Sequence, residues 1–186
     1  MIETLKQIDQ QLLLLINRGL ANPFFDFLLP LMRSKYFWSP LYIFLIVYIL
    51  KSNNTRKGLW TIAFLLFTFA LTDFISASVI KESVQRLRPC NDPEIMGFVR
   101  SLVGCGSGYS FVSSHAANHF GIAIFLGAYF QQYRWVGFSF KIWAAVIAFS
   151  QVYVGVHYPL DVFFGMLLGI GIAHFTFYLY TRIVLE

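Results

Sequence analysis

Long apolar segments follow one another along almost the whole chain, and they restrict the folds open to it. Five of them carry at most one charged residue each: 36–50, 58–80, 116–133, 142–156 and 158–181. A transmembrane helix needs roughly 20 mostly apolar residues, a length that these segments reach or approach. Charged residues form only 12% of the 186-residue chain, against roughly 25% in soluble proteins. The pattern predicts an all-α membrane helix bundle, with residues 1–186 forming a single domain.

Residues 1–33 differ from the later segments because polar residues interrupt them. An apolar run at 12–16 is followed by Asn17, Arg18, Asn22, Pro23 and Asp26. This pattern favours an amphipathic helix in the membrane interface, followed by a short partial or re-entrant span. The expected total is therefore five or six transmembrane spans.

Basic residues are in excess, and their positions indicate how the chain lies in the membrane. The net charge of +5 suits membrane lipids or a phosphorylated substrate. The basic residues form no long run, so nucleic acid is not an expected partner. If the spans alternate, the short basic connections 51–57 and 131–141 share one side with Arg182. The positive-inside tendency makes that side cytoplasmic.

The longest connection, residues 81–112, lies on the opposite side and contains both cysteines, Cys90 and Cys105. In an oxidising compartment a disulfide between them would close this loop. Two free thiols are the alternative, and the sequence alone does not decide between the two states.

Three clusters of polar residues lie at span ends on this side, and the first contains Lys81, Arg88 and Pro89. Lys81 and Arg88 are seven residues apart. On a helix this is two turns, so both side chains would share one face about 10 Å apart. Pro89 would then end the helix. Anchoring to lipid headgroups is the alternative role for such basic residues.

The second cluster, Ser113, Ser114 and His115, opens the next span. Either serine is a good N-cap, and the free N–H groups of a helix N-terminus suit a phosphate. A plain capped helix is the alternative. His119, one turn further, is interpreted as a hydrogen-bonded interior histidine. His119 is four residues after His115, which is the spacing of the two zinc-binding histidines on a helix of some zinc hydrolases. Such a site also needs a glutamate directly after the first histidine, where this chain has Ala116.

The third cluster, Ser150, Gln151, His157 and Asp161, spans the junction between two helices. Pro159 suits the start of the second helix. Asp161 in its first turn can cap that helix and accept an imidazole N–H from His157. The other ring nitrogen would then be free to act as a nucleophile. A capping aspartate beside an interfacial histidine is the alternative.

Simple alternation of the spans puts all three clusters at one membrane face. Two cations and free N–H donors would hold an anion there. One histidine would attack phosphorus, and the other would protonate the leaving oxygen.

Two other features are interpreted as structural. Asp73 lies inside a span, where an acid is a functional candidate, but a hydrogen bond to a neighbouring helix is the simpler explanation. Gly165, Gly169 and Gly171 in the last span are expected to permit close helix packing.

The clusters closely resemble the signatures of the type 2 phosphatidic acid phosphatase superfamily, which includes vanadium haloperoxidases and bacterial acid phosphatases. Its first signature, Lys-x6-Arg-Pro, is matched in full by Lys81, Arg88 and Pro89. Its second, Pro-Ser-Gly-His, keeps serine and histidine in the segment 112–115 (VSSH). Its third, Ser-Arg-x5-His-x3-Asp, is matched in spacing within 150–161. The resemblance therefore covers residues 81–161.

The resemblance implies a role for each matched residue. His157 is implied to be the nucleophile that forms a phosphohistidine, with Asp161 as its orienting partner and His115 as the general acid. The implied substrate-binding residues are Lys81, Arg88, Ser113, Ser114 and Gln151. Side chains supply the charge in this scheme, so neither a metal nor a cofactor is expected.

Gln151 is the main departure, because it stands where the third signature has arginine. Arginine offers a fork of charged donors to phosphate, whereas glutamine offers one neutral amide. We therefore expect another group to compensate. The hypotheses are that Arg86 or Arg100 supplies charge, or that Gln151 still donates one hydrogen bond.

The expected activity is metal-independent hydrolysis of a lipid-linked phosphomonoester or a polyprenyl pyrophosphate. Catalytic groups at span ends lie near the headgroup plane, where a lipid phosphate can present its head. A lipid phosphotransferase is one alternative, and a small transporter or lipid carrier without hydrolytic activity is another. The resemblance implies a multi-pass protein of the bacterial inner membrane whose active site faces the non-cytoplasmic side.

Overall fold

The computed structural model describes residues 2–186, which contain helices and loops but no strands. The α-helices are α1 (Ile2–Leu14), α2 (Pro23–Met32), α3 (Lys35–Ser52), α4 (Thr55–Asp73), α5 (Lys81–Val84), α6 (Ser114–Tyr129), α7 (Arg134–Tyr153) and α8 (Pro159–Tyr180). Turns of π-helix follow three of them, at Leu15–Gly19, Phe74–Ile80 and Thr181–Leu185, and the long loop holds a 3-10 turn at Met96–Phe98. The predicted all-α class is confirmed.

The N-terminal segment is bent near its middle. The helix axis turns by 116° between Glu3–Gly19 and Pro23–Met32. The side chain of Asn22 accepts a hydrogen bond from the Phe25 N–H at 2.9 Å and so caps α2. Pro23 occupies the first helical position, where its fixed φ is favourable. A helix, a sharp bend and a shorter helix agree with the predicted interfacial helix and partial span.

Within the described residues, three helical stretches are long and apolar enough to cross a membrane: Thr55–Val84, Arg134–Tyr153 and Pro159–Val184. The bent N-terminal pair adds a fourth if it counts as one span. The predicted five or six spans exceed this count. The difference lies in α3, which has lysines near both ends of its 18 residues, and in α6, which has 16 residues. At 1.5 Å per residue α6 is only about 24 Å long.

Helix α6 lies at the centre of the bundle, against α4, α7 and α8. A Cβ atom at Gly165 or Gly169 of α8 would overlap the backbone carbonyl oxygens of Ser113 or Ala117, respectively. These two glycines therefore let α8 approach α6 closely, as predicted. Among the residues that the structure describes, Gly171 has no neighbour within 4 Å of such an atom, so the packing role predicted for it is wrong.

Side-chain hydrogen bonds link α4 to the helices beside it. The hydroxyls of Thr68 and Thr176 are 2.7 Å apart. Thr72 donates to the amide oxygen of Asn118 at 2.7 Å, and the amide nitrogen of Asn118 donates to Asp73 at 2.9 Å. Such bonds stabilise membrane bundles by roughly 0.6–2 kcal/mol each. Asp73 is therefore bonded to a neighbouring helix, which confirms the structural explanation for it.

The two ends of the bundle differ in composition. At one end Asn53 donates to the Tyr129 hydroxyl at 2.6 Å, which places the basic connection 51–57 beside the end of α6. The other end holds the N-terminal segment, the long loop and the starts of α6 and α8. Cys90 and Cys105 form a disulfide in this loop. Of the two states that the sequence leaves open, the structure therefore contains the disulfide and not the two free thiols.

Candidate active site

The starts of α6 and α8 meet at the end of the bundle that carries the long loop. The N–H of Ser113, just before α6, donates to the carbonyl oxygen of Asp161 at 2.9 Å. The Ser113 hydroxyl accepts a hydrogen bond from the Ala116 N–H at 3.4 Å, so Ser113 is the N-cap of α6. The second and third clusters are therefore adjacent, as the alternation of spans predicted.

Arg88 connects the first cluster to the third. Its Nη1 atom is 3.3 Å from the Val156 carbonyl oxygen and 3.3 Å from Nε2 of His157. A guanidinium has only donors, so Nε2 must be the acceptor and carry a lone pair. The neutral ring then bears its hydrogen on Nδ1. This is the tautomer that the predicted nucleophile requires.

Lys81 and Arg88 do not share a helix face, so that prediction is wrong. Helix α5 ends at Val84, and Gln85 adopts the left-handed conformation with φ 53° and ψ 33°. The following chain is held by Ser110, whose N–H donates to the Arg86 carbonyl at 2.8 Å. A residue before proline also avoids helical backbone angles. Arg88 therefore reaches His157 from a loop. Lys81 remains close enough to act electrostatically on the same imidazole.

Asp161 is completely buried, and each of its oxygens has a donor. Oδ2 accepts the Tyr158 N–H at 2.9 Å, and Oδ1 accepts Nη1 of Arg86 at 2.7 Å. Oδ2 also lies 3.5 Å from Nδ1 of His157. Nδ1 is buried without a hydrogen-bond partner in residues 2–186, so this contact is a close approach of the neutral ring to the carboxylate and not an aligned hydrogen bond. Catalytic hydrogen bonds are often long before substrate binds.

Burial controls the protonation of His157, whose side chain is 2% exposed. Burial lowers the pKa of His157 to about 4, because the desolvation of the ring outweighs the opposing effect of Asp161. The positive charges of Arg88 and Lys81 lower the same pKa further. The imidazole is therefore neutral at physiological pH, which a nitrogen nucleophile requires.

His115 lies in the first turn of α6 and its ring stacks on that of His119, with centroids 6.1 Å apart. Nδ1 of His119 donates to the His115 carbonyl oxygen at 2.8 Å, and its Nε2 is 3.3 Å from the Tyr42 hydroxyl. The prediction that His119 is a hydrogen-bonded interior histidine is therefore confirmed. In the part of the chain that the structure describes, no three His, Cys, Asp or Glu side chains are grouped to hold a metal ion.

Ser114 and Gln151 form their side-chain hydrogen bonds within the protein. The Ser76 hydroxyl donates to Oγ of Ser114 at 2.9 Å. Nε2 of Gln151 donates to the Ile147 carbonyl at 3.3 Å, and its buried Oε1 has no hydrogen-bond partner among residues 2–186. The backbone carbonyl of Gln151 accepts the His157 N–H at 3.2 Å. Gln151 thus holds the backbone of His157, while its amide donor is directed at its own helix.

The two arginines expected to compensate for Gln151 are both paired with carboxylates. Arg86 donates to Asp9 at 2.7 Å in addition to its bond with Asp161. Arg100 donates to Asp26 at 2.6 Å. The structure therefore does not support Arg86 or Arg100 as the source of the missing charge, because their charges are already neutralised. We call Arg86, Arg100, Asp9 and Asp26 the arginine clamp.

The arginine clamp attaches the N-terminal segment to the site. Asp9 is 1% exposed and also accepts the Leu160 N–H at 2.9 Å. The Arg86 guanidinium lies 3.8 Å from the ring centroid of Tyr158. Although burial opposes it, the carboxylates of Asp161 and Asp9 raise the pKa of Arg86. This role of Asp9 is not predictable from the sequence, where Asp9 is one more polar residue of an amphipathic helix.

A neutral, buried histidine between an aspartate and an arginine, at one end of a membrane helix bundle, is an arrangement suited to binding and attacking an anion. The fold that carries this arrangement is that of a membrane phosphatase. The chain belongs to the PAP2 superfamily, whose profile matches residues 61–184, and this confirms the resemblance seen in the sequence.

Relatives and solved structures agree with this family. A lipid A 4'-phosphatase of Bacteroides thetaiotaomicron is 34% identical over 180 residues, which cover 96% of this chain and 79% of the relative. The transmembrane PAP2 type phosphatidylglycerolphosphate phosphatase of Bacillus subtilis has the same fold, with a TM-score of 0.77, 20% identity, and 97% and 88% of the two chains covered. Aquifex aeolicus LpxE matches with a TM-score of 0.67 and 26% identity, over 89% of this chain and 92% of LpxE.

Proposed function

We propose that this chain removes a phosphate group from a lipid-linked phosphate ester at the membrane surface, through a phosphohistidine intermediate on His157. The enzyme class, a phosphatase that acts on lipid phosphates, follows from the family and from the relatives above. The observation that carries the proposed mechanism is the environment of one ring. Nε2 of His157 faces Arg88 at 3.3 Å, and its Nδ1 faces Asp161 at 3.5 Å.

In the first step, Nε2 of His157 attacks phosphorus in line with the bond to the lipid oxygen. Asp161 stabilises the positive charge that develops on the ring, through Nδ1. Arg88 and Lys81 hold the equatorial oxygens, together with free N–H groups at the start of α6. His115, which must be protonated when the anionic substrate is bound, gives that proton to the departing oxygen as the phosphorus–oxygen bond breaks. The products are the lipid alcohol and a phosphohistidine.

In the second step, His115 takes a proton from water, and the resulting hydroxide attacks phosphorus. The phosphorus–nitrogen bond breaks, its electrons return to Nε2, and inorganic phosphate leaves. The two histidines serve opposite roles because only His157 has a carboxylate beside it. Side chains neutralise the phosphate in both steps, so the scheme needs no metal ion.

The position of the site supports a lipid-linked substrate. His157 precedes α8 and His115 opens α6, so both lie at the ends of apolar helices. A lipid could place its phosphate there while its acyl chains stay in the bilayer. Because the Bacteroides relative is a lipid A 4'-phosphatase, a phosphorylated glycolipid of the lipid A type is the first candidate substrate.

The positions of the disulfide and of the basic connections support a site on the non-cytoplasmic side of the bacterial inner membrane. The site loop contains the Cys90–Cys105 disulfide, and disulfides form and persist in oxidising compartments. The opposite end carries short basic connections, as cytoplasmic loops do.

The test is an assay of purified protein on lipid A, phosphatidic acid, phosphatidylglycerophosphate and undecaprenyl pyrophosphate in detergent. We expect phosphate release from at least one lipid in excess EDTA, inhibition by vanadate, and loss of release in His157→Ala. Normal release by His157→Ala would overturn the mechanism. Activity that is lost on chelation and restored by zinc would overturn its metal independence.

A further inference from the structure

A charged phosphate ligand is missing from the third signature, and the residue in its place does not supply one. The side-chain amide of Gln151 donates to its own helix. Arg86 and Arg100 are neutralised within the arginine clamp. A different cation near the two histidines would be needed to complete the charge around a phosphate.

Arg33 is placed to be that cation. It follows the last residue of α2 and caps its C-terminus through a backbone N–H bond to the Leu29 carbonyl at 3.2 Å. Its side chain is half-buried, and Nε is buried without a hydrogen-bond partner among the described residues. Within residues 2–186, no carboxylate lies within ion-pair distance of Arg33. A buried donor without an acceptor is costly unless something else binds it.

A chain of contacts holds the end of α2 against the histidines. Nε1 of Trp38 donates to the Met32 carbonyl at 2.6 Å. The Trp38 ring packs edge-on against Trp143, with centroids 5.7 Å apart, and Trp143 packs against His119 at 5.0 Å. His119 stacks on His115. These contacts link the end of α2 to the histidines of α6. Leu29, whose carbonyl accepts the Arg33 N–H, also packs in one cluster with Val154 and Val156, which lie just before His157.

The electrostatics agree with this placement. Burial lowers the pKa of Arg33, and the positive charge of Arg88 lowers it further. Arg33 is also among the positive charges that act on His115, together with Lys81. Within residues 2–186, Arg33, Lys81 and Arg88 have no ion-pair partner, and each acts electrostatically on at least one of the two imidazoles. A bound dianion would relieve the repulsion among these cations.

We propose that Arg33 is a phosphate-binding residue of this site and takes over the part of the arginine that Gln151 replaces. This inference rests on the proposed function. It gives the bent N-terminal segment a part in catalysis, because the segment would hold Arg33 at the site of His115, His157, Lys81 and Arg88. Anchoring to a lipid headgroup is the competing role for an arginine at a helix end.

The experiment compares Arg33→Gln and Arg33→Lys with Lys35→Gln as the matched control. Lys35 is exposed, and its ammonium lies 5.4 Å from the Tyr36 ring centroid. Lys35→Gln removes one positive charge, as Arg33→Gln does, so the two variants have the same net charge. We expect Arg33→Gln to lower kcat/KM about 100-fold and to weaken vanadate inhibition to a similar extent. The kcat/KM of Arg33→Lys should be about tenfold higher than that of Arg33→Gln, because a lysine restores the charge but not the guanidinium fork. The kcat/KM of Lys35→Gln should stay within about twofold of the wild type.

Two results would overturn the role of Arg33. One is a wild-type kcat/KM and vanadate inhibition constant in Arg33→Gln. The other is an equal loss in Lys35→Gln with unchanged vanadate inhibition, which would indicate headgroup anchoring. If Arg33→Gln does not fold, full activity and vanadate affinity in Arg33→Lys would count against the role, because a lysine cannot reproduce the guanidinium fork. His157→Ala, assayed in parallel, separates the two proposals: its inactivity beside a fully active Arg33→Gln would reject only the role of Arg33.

Discussion

Arg86 and Arg88 are two residues apart in the same loop, yet their guanidinium groups lie in opposite electrostatic environments. Arg86 bridges two buried carboxylates, Asp9 and Asp161, at 2.7 Å each. Arg88 contacts a neutral imidazole and two backbone carbonyls, those of Gly108 and Val156. A neutralised arginine stabilises the protein around it, whereas an arginine without a carboxylate keeps its charge for a ligand. The two arginines therefore differ in their partners and not in residue type: Arg86 is paired with carboxylates, and Arg88 is not.

The sharpest test of this contrast is the paired substitution of the two arginines. We expect Arg88→Gln to lower kcat/KM by about 1,000-fold, because a phosphate oxygen loses its charged donor. Its unfolding midpoint in detergent should change little, because no ion pair is broken. A fall in thermal stability with kcat/KM preserved would mean that Arg88 is structural.

Arg86→Gln should have the reverse pattern. It leaves the buried carboxylates of Asp9 and Asp161 without a cation, which costs about 3–5 kcal/mol for a buried pair. The measurement is the free energy of unfolding in detergent, with Asp9→Asn and the double variant completing a cycle. The double variant should lose less free energy of unfolding than the two single variants lose together, because both residues belong to one network of ion pairs. Simple additivity would argue against the arginine clamp.

The pH profile tests the protonation state of His157 beside Arg88. Attack requires the neutral ring, and burial lowers the pKa of His157 to about 4, from an ordinary value of 6.5. As the pH falls, kcat/KM should therefore persist below pH 6.5 and decline only toward the lowered pKa. The profile is measured on a pyrophosphate and a monoester substrate, so that titration of the substrate can be separated. A half-loss at or above pH 6.5 with both substrates would contradict the buried neutral ring.

The outer part of the arginine clamp should show the smallest effect. The Arg100 and Asp26 side chains are 29% and 31% exposed, and a partly exposed pair contributes about 1 kcal/mol or less. Arg100→Gln should therefore shift stability slightly and leave kcat/KM within about twofold of the wild type. A loss of activity as large as that of Arg88→Gln would remove the distinction between the arginine clamp and the pocket.

The family, the helical class and the clusters were predictable because they depend on local patterns. Apolar length predicts helices in a membrane, and the motif spacing within 81–161 brings the polar residues to helix ends. Pro159 is a strong local signal for a helix start and predicts that Asp161 lies in the first turn of α8, and the structure agrees.

The errors concern tertiary contacts between distant parts of the chain. Asp9 and Arg86 are 77 positions apart, and nothing in the local pattern links them. The end of α5 depends on the left-handed Gln85 and on a bond from Ser110, so periodicity alone extended that helix too far. Nothing in the sequence distinguishes Arg33 from other basic residues at helix ends. Its distinguishing feature is three-dimensional, because its Nε is buried without a hydrogen-bond partner among residues 2–186.

The most direct test of the central claim is to trap the phosphorylated enzyme. Purified protein is mixed with a ³²P-labelled lipid phosphate that it hydrolyses, quenched within milliseconds, and mapped by mass spectrometry. The account predicts an acid-labile, base-stable phosphoryl group on His157 that is absent from His157→Ala. Rapid turnover with the phosphoryl group on another residue, or with no protein-bound phosphate at any time, would contradict it.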